Sequence, residues 1–321
     1  MMKIDRKDWK GIARTETYED GAMKELTLEA ENEIKTVCGT LIPKYTDEQV
    51  RQKYISSVSF YEDGSLKRLA LEKQTMIETP IGMYPAECVI FYPSGALKHF
   101  FPLNGKLSGY WTIEDETALS EELQFHLSVG AFKARIIGAT FYESGALKSF
   151  TLWSGEEIVI NTNVGLFPVQ IGFALYESGE IKSLEPAYPI PIVTPIGNVT
   201  VYDEHAIGIE SDDNSLKFDQ LGNIIGFTTS FCSVATFRAN GSKKVIAPSF
   251  APSMTDDDAM EKIPLTVRII GDKVVIDNGE TAEEFSYSAD QFVIRKEYET
   301  DFKPHSGCTG GDCSSCSSCH S

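Results

Sequence analysis

Tyr142-Glu143-Ser144-Gly145-Ala146-Leu147-Lys148 is the stretch on which the fold of this chain turns. A small or acidic polar pair ahead of a glycine suits a type I turn closed by a left-handed residue, the three-residue hairpin with a G1 bulge. Aromatic and branched residues flank it on both sides, as they do in strands. Near-copies stand at Tyr18-Glu19-Asp20-Gly21-Ala22-Met23-Lys24, Tyr61-Glu62-Asp63-Gly64-Ser65-Leu66-Lys67, Tyr92-Pro93-Ser94-Gly95-Ala96-Leu97-Lys98 and Tyr176-Glu177-Ser178-Gly179-Glu180-Ile181-Lys182. Two degenerate copies follow, at Phe218 to Ile224 around Gly222 and at Phe237 to Lys244 around Gly241. The seven glycines are spaced 43, 31, 50, 34, 43 and 19 residues apart. In this register Phe60, Phe91, Phe141 and Leu175 lie opposite Leu66, Leu97, Leu147 and Ile181. Each such apolar cross-strand pair contributes a few tenths to about 1 kcal/mol.

A second signature keeps phase with the first: Ile34-Lys35-Thr36-Val37-Cys38-Gly39, Ile77-Glu78-Thr79-Pro80-Ile81-Gly82, Ile160-Asn161-Thr162-Asn163-Val164-Gly165 and Ile192-Val193-Thr194-Pro195-Ile196-Gly197. Its glycine follows the first by 18, 18, 20 and 18 residues. Thr-Pro-Ile-Gly ends a strand, because proline removes a ladder donor and glycine permits reversal. One unit is therefore strand, glycine turn, strand, short link, strand and second glycine turn. Residues 104–129 read as an insertion in the third unit, with Phe125-His126-Leu127-Ser128-Val129-Gly130 resuming the pattern; shorter insertions fall near Tyr45–Lys53 and Asp203–Asn214. After the turn, Leu66, Leu69 and Leu71 place apolar residues on both faces, which calls for either a bulge near the lysine or a sheet covered on both sides.

The Tyr-Glu-Ser-Gly-Ala-Leu-Lys units, over residues 16 to 245, resemble the MORN-repeat variants of bacterial proteins labelled antitoxin-like. That resemblance implies elongated or curled sheets of successive hairpins, and protein or lipid contacts rather than catalysis. The remaining residues extend the β reading. Residues 246–260 read as a Pro/Ser and acidic linker, and Leu265–Ile270, Lys273–Ile276, Phe285–Tyr287 and Phe292–Arg295 as strands of a cap that shields the last repeat edge. The expected fold is all-β: tandem antiparallel β-hairpin repeats over 1–245, a β cap module over 246–300 and a flexible Cys-rich tail over 301–321.

The chain has 321 residues, 42% of them hydrophobic, enough for a sizeable core and too apolar for a disordered protein. Its net charge of −18 argues against binding nucleic acid through the phosphate backbone and against anionic membrane surfaces. Neither a secretory signal nor a run near the roughly 20 apolar residues of a membrane helix is evident, so the expected compartment is the cytoplasm.

Of seven cysteines, Cys38, Cys88 and Cys232 are isolated among apolar neighbours and read as small buried hydrophobes. Cys308, Cys313, Cys316 and Cys319, with His320, have ligand spacing; His305 can replace one sulfur. Thiolates so placed bind zinc tetrahedrally, and Cys-x4-Cys-x2-Cys also matches the start of a plant-type iron–sulfur pattern. Cys316 to His320 formally fits c-type haem attachment, a chemistry of exported proteins. A mobile tail of reduced thiols is the competing reading.

The lysines after each turn (Lys24, Lys67, Lys98, Lys148, Lys182, Lys244) suit solubility and edge protection more than an acid-binding stripe. The tyrosines ahead of each turn suit repeat-to-repeat packing more than a stacking ladder for sugar or peptide. His99, His126 and His205 have no acid or nucleophile at a telling spacing, and Asp256-Asp257-Asp258 lacks the geometry of a calcium loop. Neither a nucleophile elbow nor a phosphate loop is present. The function expected from sequence is a non-enzymatic scaffold that contacts a protein partner through its insertions and one sheet face. The alternative is a metal-handling or redox-accessory protein using the C-terminal thiols.

Overall fold

The computed structural model describes residues 8–46, 55–104, 113–206, 214–253 and 259–296. These form 27 strands and one short helix, arranged as hairpins. Contacts divide them into two compact units: the residues up to Leu127 with Ala131–Trp153, and Ser128–Gly130 with the residues from Ser154 onward.

In the first unit the strands are β1 (Ile12–Thr17), β2 (Met23–Leu28), β3 (Ile34–Thr36), β4 (Gly39–Leu41), β5 (Val58–Phe60) and β6 (Leu66–Thr79). There follow β7 (Gly82–Phe91), β8 (Leu97–Phe101), helix α1 (Ile113–Leu119), β9 (Leu123–Leu127), β10 (Gly130–Ala134), β11 (Ile136–Phe141) and β12 (Leu147–Leu152). Its main sheet runs β1-β2-β5-β6-β7-β8-β11-β12, in chain order with the short hairpins looped out.

The second unit holds β13 (Ile158–Thr162), β14 (Gly165–Leu175), β15 (Ile181–Pro186), β16 (Ile190–Thr194), β17 (Gly197–Val201), β18 (Leu216–Phe218), β19 (Ile224–Thr229) and β20 (Cys232–Phe237). It ends with β21 (Lys243–Ile246), β22 (Ser249–Pro252), β23 (Met260–Ile263), β24 (Leu265–Ile270), β25 (Lys273–Asp277), β26 (Ala282–Ser286) and β27 (Gln291–Lys296). Here the sheet runs β14-β15-β18-β19-β24-β25-β26.

All seven repeat glycines close hairpins of one design. Gly64 N–H donates to Tyr61 O and Tyr61 N–H to Ser65 O, both at 2.9 Å, and the same pair of bonds recurs at every copy, including Asp219–Gly222 and Arg238–Gly241. The glycines take φ from +79° at Gly64 to +98° at Gly179, a region open to glycine without steric penalty. Phe60 faces Leu66, Phe91 Leu97, Phe141 Leu147 and Leu175 Ile181, as the spacing predicts.

The next pair explains the broken alternation. Ser59 is opposite Arg68, so Lys67 is the extra residue of a bulge; Lys24, Lys98, Lys148 and Lys182 hold the same place. The bulge restores alternation one residue later, and the residue five after each glycine is fully buried, Leu26, Leu69, Phe100 and Phe150 in the first unit and Leu184 and Phe227 in the second. Phe227 is the core residue of the degenerate sixth copy, so loss of the tyrosine there did not cost the core position.

The second signature makes short hairpins with two-residue loops. In each, the threonine hydroxyl donates to the glycine carbonyl, at 2.9 Å in Thr36, 2.7 Å in Thr79, 2.9 Å in Thr162 and 2.7 Å in Thr194. In the first three it also accepts the N–H two residues on. The threonine is therefore the clasp of the turn. The pattern does resume after the insertion, where β9 and β10 form a two-stranded sheet.

These hairpins turn one face toward the main sheet. In the first unit Tyr84 stacks on Phe125 at 4.8 Å and on Phe100 at 6.0 Å, and Phe125 meets Phe150 edge-on at 4.7 Å. Helix α1 occupies the expected insertion, and its Thr117 hydroxyl accepts the Trp153 indole N–H at 2.9 Å.

One expectation changes. Residues 246–260 are not a plain linker, because β22 and β23 pair through Ser249↔Ile263 to Pro252↔Met260; residues 254–258 lie outside the described set. Ser249 Oγ holds Asn278 O at 2.5 Å, which gives this polar stretch a partner to fold against. By contacts the chain divides between Trp153 and Ser154. Residues 246–296 belong to the second unit because β24 pairs directly with β19 and β27 with β20.

Candidate functional site

The motif side chains that sequence singles out are mostly committed to holding neighbouring hairpins together. Four of the five tyrosine hydroxyls donate to the carbonyl just ahead of the next copy's tyrosine place: Tyr18 to Phe60 at 2.8 Å, Tyr61 to Phe91 at 2.8 Å, Tyr92 to Phe141 at 2.9 Å and Tyr176 to Phe218 at 2.7 Å. Asp219 stands in the sixth tyrosine place and turns its carboxylate onto its own loop instead, accepting Leu221 and Asn223 N–H.

The bulged lysines fold back. Lys24, Lys67 and Lys98 sit 6.0, 5.5 and 5.5 Å from the ring centroids of their own tyrosines. Lys244 bonds Glu283. Cys38, Cys88 and Cys232 are buried, and burial pushes the Cys38 thiol up to about 12. Cys308, Cys313, Cys316, Cys319, His320 and His305 lie outside the described residues, as does Asp256-Asp257-Asp258.

The short hairpins leave an outward face. On the first unit, Met76 and Met83 are diagonal neighbours there, 55% and 56% exposed. On the second unit, Val159 and Leu166 repeat that arrangement at 53% and 71%, and Val193 stands 78% exposed on the next hairpin. Diagonal pairs of this kind are within reach of one another. Their inward partners, Ile77 and Tyr84 or Ile160 and Phe167, are buried, so the hairpins are apolar on both sides.

The second unit also contains a cleft of about 210 Å³ lined by Ile171, Glu185, Asp203, His205, Asn214, Ser215, Lys217, Thr228 and Thr266, among others. Glu185 projects from β15 and is 2% exposed. Its Oε2 accepts Ser215 N–H at 2.8 Å, while its Oε1 is buried without a hydrogen-bond partner. Burial dominates its chemistry and, with the nearby Asp203 charge, raises the carboxyl to about 8 despite the Ser215 bonds. Asp203 is raised too, chiefly by burial, although its Oδ1 accepts His205 N–H at 2.9 Å.

Polar bonds connect the segments around the cleft. Asn214 Nδ2 donates to Ser183 Oγ at 2.9 Å, and Thr228 N–H to Ser215 O at 2.8 Å. Ile171, with φ +63°, is the only non-glycine at positive φ among the described residues. Its strained backbone lies where β14 departs from its register with β15, between Val169 and Phe173.

Comparison with protein-family models, with curated proteins and with solved structures returns no match for this chain. Among the described residues, no helix is long and apolar enough to cross a membrane, and no three His, Cys, Asp or Glu side chains converge as a metal site.

Sequence reading missed the cleft. His205 shows no acid at a telling spacing, yet folding brings it to a cleft shared with Asp203 and Glu185. One signal was available: six residues after the glycine the copies carry Thr27, Ala70, Phe101, Thr151 and Thr228, and only the fifth copy puts a charged residue, Glu185, in that place.

Proposed function

We propose that this protein is a non-enzymatic, MORN-like repeat scaffold that binds a protein partner in the cytoplasm. The observation that carries the reading is the outward face of the short hairpins, where Met76 with Met83, Val159 with Leu166, and Val193 expose apolar surface on elements whose other side is already buried. Isolated exposed apolar residues are ordinary; recurrence at one structural position is what marks this face for contact. The net charge of −18 favours a partner that surrounds its apolar contact with basic residues. Buried, unpaired Cys38, Cys88 and Cys232 suit a reducing compartment.

Leu166→Glu with Val159→Glu tests this. Both side chains are mostly exposed, so the variant keeps its far-ultraviolet dichroism. A partner that co-purifies with wild type, and is released by raised salt, is captured at least tenfold less by the variant. Capture unchanged by these substitutions counts against the proposal. Capture lost only when the chain ends at Pro304 favours the thiol-tail alternative.

A further inference from the structure

We propose that the cleft lined by Glu185 and Asp203 binds a cationic head group bearing N–H donors, a guanidinium or an alkylammonium. This inference stands apart from the outward hairpin faces, and either can fail without the other.

The strongest observation is Glu185 itself. A carboxyl group 2% exposed, with Oε2 held by Ser215 and Oε1 unpartnered, has a buried hydrogen-bonding atom that becomes an acceptor once the group ionises. Leaving a buried polar atom unmet is costly, so such an atom beside a polar cleft points to something that fills it. Asp203 supplies a second carboxylate on the same cleft, from the segment after β17. A donor-bearing cation satisfies both. The two basic groups that line the cleft are His205 and Lys217; Lys217 already draws Glu185 toward ionisation, and His205 does the same to Asp203.

A metal ion fits less well. The carboxyls of Glu185 and Asp203 find no third His, Cys, Asp or Glu converging with them among the described residues. The volume argues the same way, since about 210 Å³ is several times the roughly 30 Å³ share of one water. A planar guanidinium with a short carbon stem suits that space. Thr228 and Thr266, whose hydroxyls lie 3.5 Å apart, line the cleft with lone pairs for the remaining N–H groups, and Ile171 and Pro264 offer apolar surface to the stem. Such a cation favours the ionised carboxylate, so binding at neutral pH releases a proton from Glu185.

The full-length protein is titrated with methylguanidinium chloride by calorimetry at pH 7 in two buffers of different ionisation heat. Saturable binding is expected, with up to one proton released per site and at least tenfold weaker affinity in Glu185→Gln. Should that variant misfold, wild type alone decides: methylguanidinium raises its melting temperature and tetramethylammonium, a cation without N–H groups, does not. Tighter binding of N-acetyl-arginine amide than of methylguanidinium assigns the site to a basic side chain of a partner. Binding of methylguanidinium with exclusion of the amide assigns it to a free small cation. Equal responses to tetramethylammonium, saturation by calcium in place of methylguanidinium, or no binding to any probe overturns the inference.

Discussion

Two glycines in the same unit separate backbone strain from inter-hairpin contact. Gly179 and Gly222 both close repeat turns, at φ +98° and +81°. A Cβ at Gly179 meets nothing closer than Ser128 Oγ at 4.0 Å; one at Gly222 lies 2.1 Å from Asn163 Nδ2 and 2.8 Å from Asn163 Cβ. Alanine at Gly179 therefore incurs only the left-handed conformation, about 1–2 kcal/mol. Alanine at Gly222 carries the same strain and also displaces Asn163, whose amide donates to Leu221 O at 3.0 Å. That bond contributes about 0.5–1.5 kcal/mol, so Gly222→Ala is expected to cost about 1.5–3.5 kcal/mol in all. Amide hydrogen exchange of peptides covering 181–186 and 214–229, read beside urea melts by circular dichroism, reports the loss within the second unit. Adding Asn163→Gly closes a double-mutant cycle and removes the difference between the two alanine variants. Equal losses at Gly179 and Gly222, or a cycle with no coupling, would refute the claim that the short hairpin's tip seats on the repeat turn.

Further outcomes follow from the same geometry. A carboxyl whose folded pKa of about 8 lies above its ordinary 4.5 favours the folded state fully only below pH 4.5, and that advantage disappears as pH climbs through 8. Urea stability of wild type relative to Glu185→Gln should thus fall by a few kcal/mol between pH 5 and pH 9; a flat difference rejects the buried acid. Tyr61→Phe and Tyr92→Phe each lose one bond to the neighbouring hairpin and are expected to destabilise the first unit by about 0.5–1.5 kcal/mol in urea melts. Iodoacetamide at pH 8 should leave Cys38, Cys88 and Cys232 unmodified in the folded protein and label them in urea, by mass mapping. If the terminal thiols hold zinc or iron, elemental analysis of anaerobically purified protein finds metal that a chain ending at Pro304 lacks.

The hairpin contacts have a regularity that extends beyond nearest neighbours. Pro80, at the short-hairpin tip after the second repeat turn, lies against Gly145 of the fourth turn. Ser128, after the third, donates to Gly179 O of the fifth at 3.1 Å, and Asn163, after the fourth, reaches Leu221 beside the sixth. Successive tips also bond one another, Glu78 N–H to Cys38 O at 3.2 Å and Asn161 N–H to Val129 O at 2.9 Å. Within each unit, Tyr18, Tyr61, Tyr92 and Tyr176 tie their repeats to the next, while the short hairpins at Pro80, Ser128 and Asn163 reach the turn two further on. Such overlapping contacts raise the nearest-neighbour coupling on which repeat proteins depend.

Sequence alone determined the local reversals. Tyr-x-x-Gly and Thr-x-x-Gly specify their turns within four residues through glycine's access to positive φ and the hydroxyl clasp of threonine, and the facing of Phe60 with Leu66 follows from the turn. The choice between a bulge and a doubly covered sheet needed the ladder, because it depends on which residue the partner strand skips. The cleft was decided only by tertiary structure. Glu185, Asp203, Lys217, Thr228 and Thr266 come from separate strands and loops, and no short-range pattern records that the sheet brings them together. Packing a polar residue into one copy of an otherwise apolar or hydroxylic position leaves a mark in the sequence, but what that residue faces is set by strands many residues away.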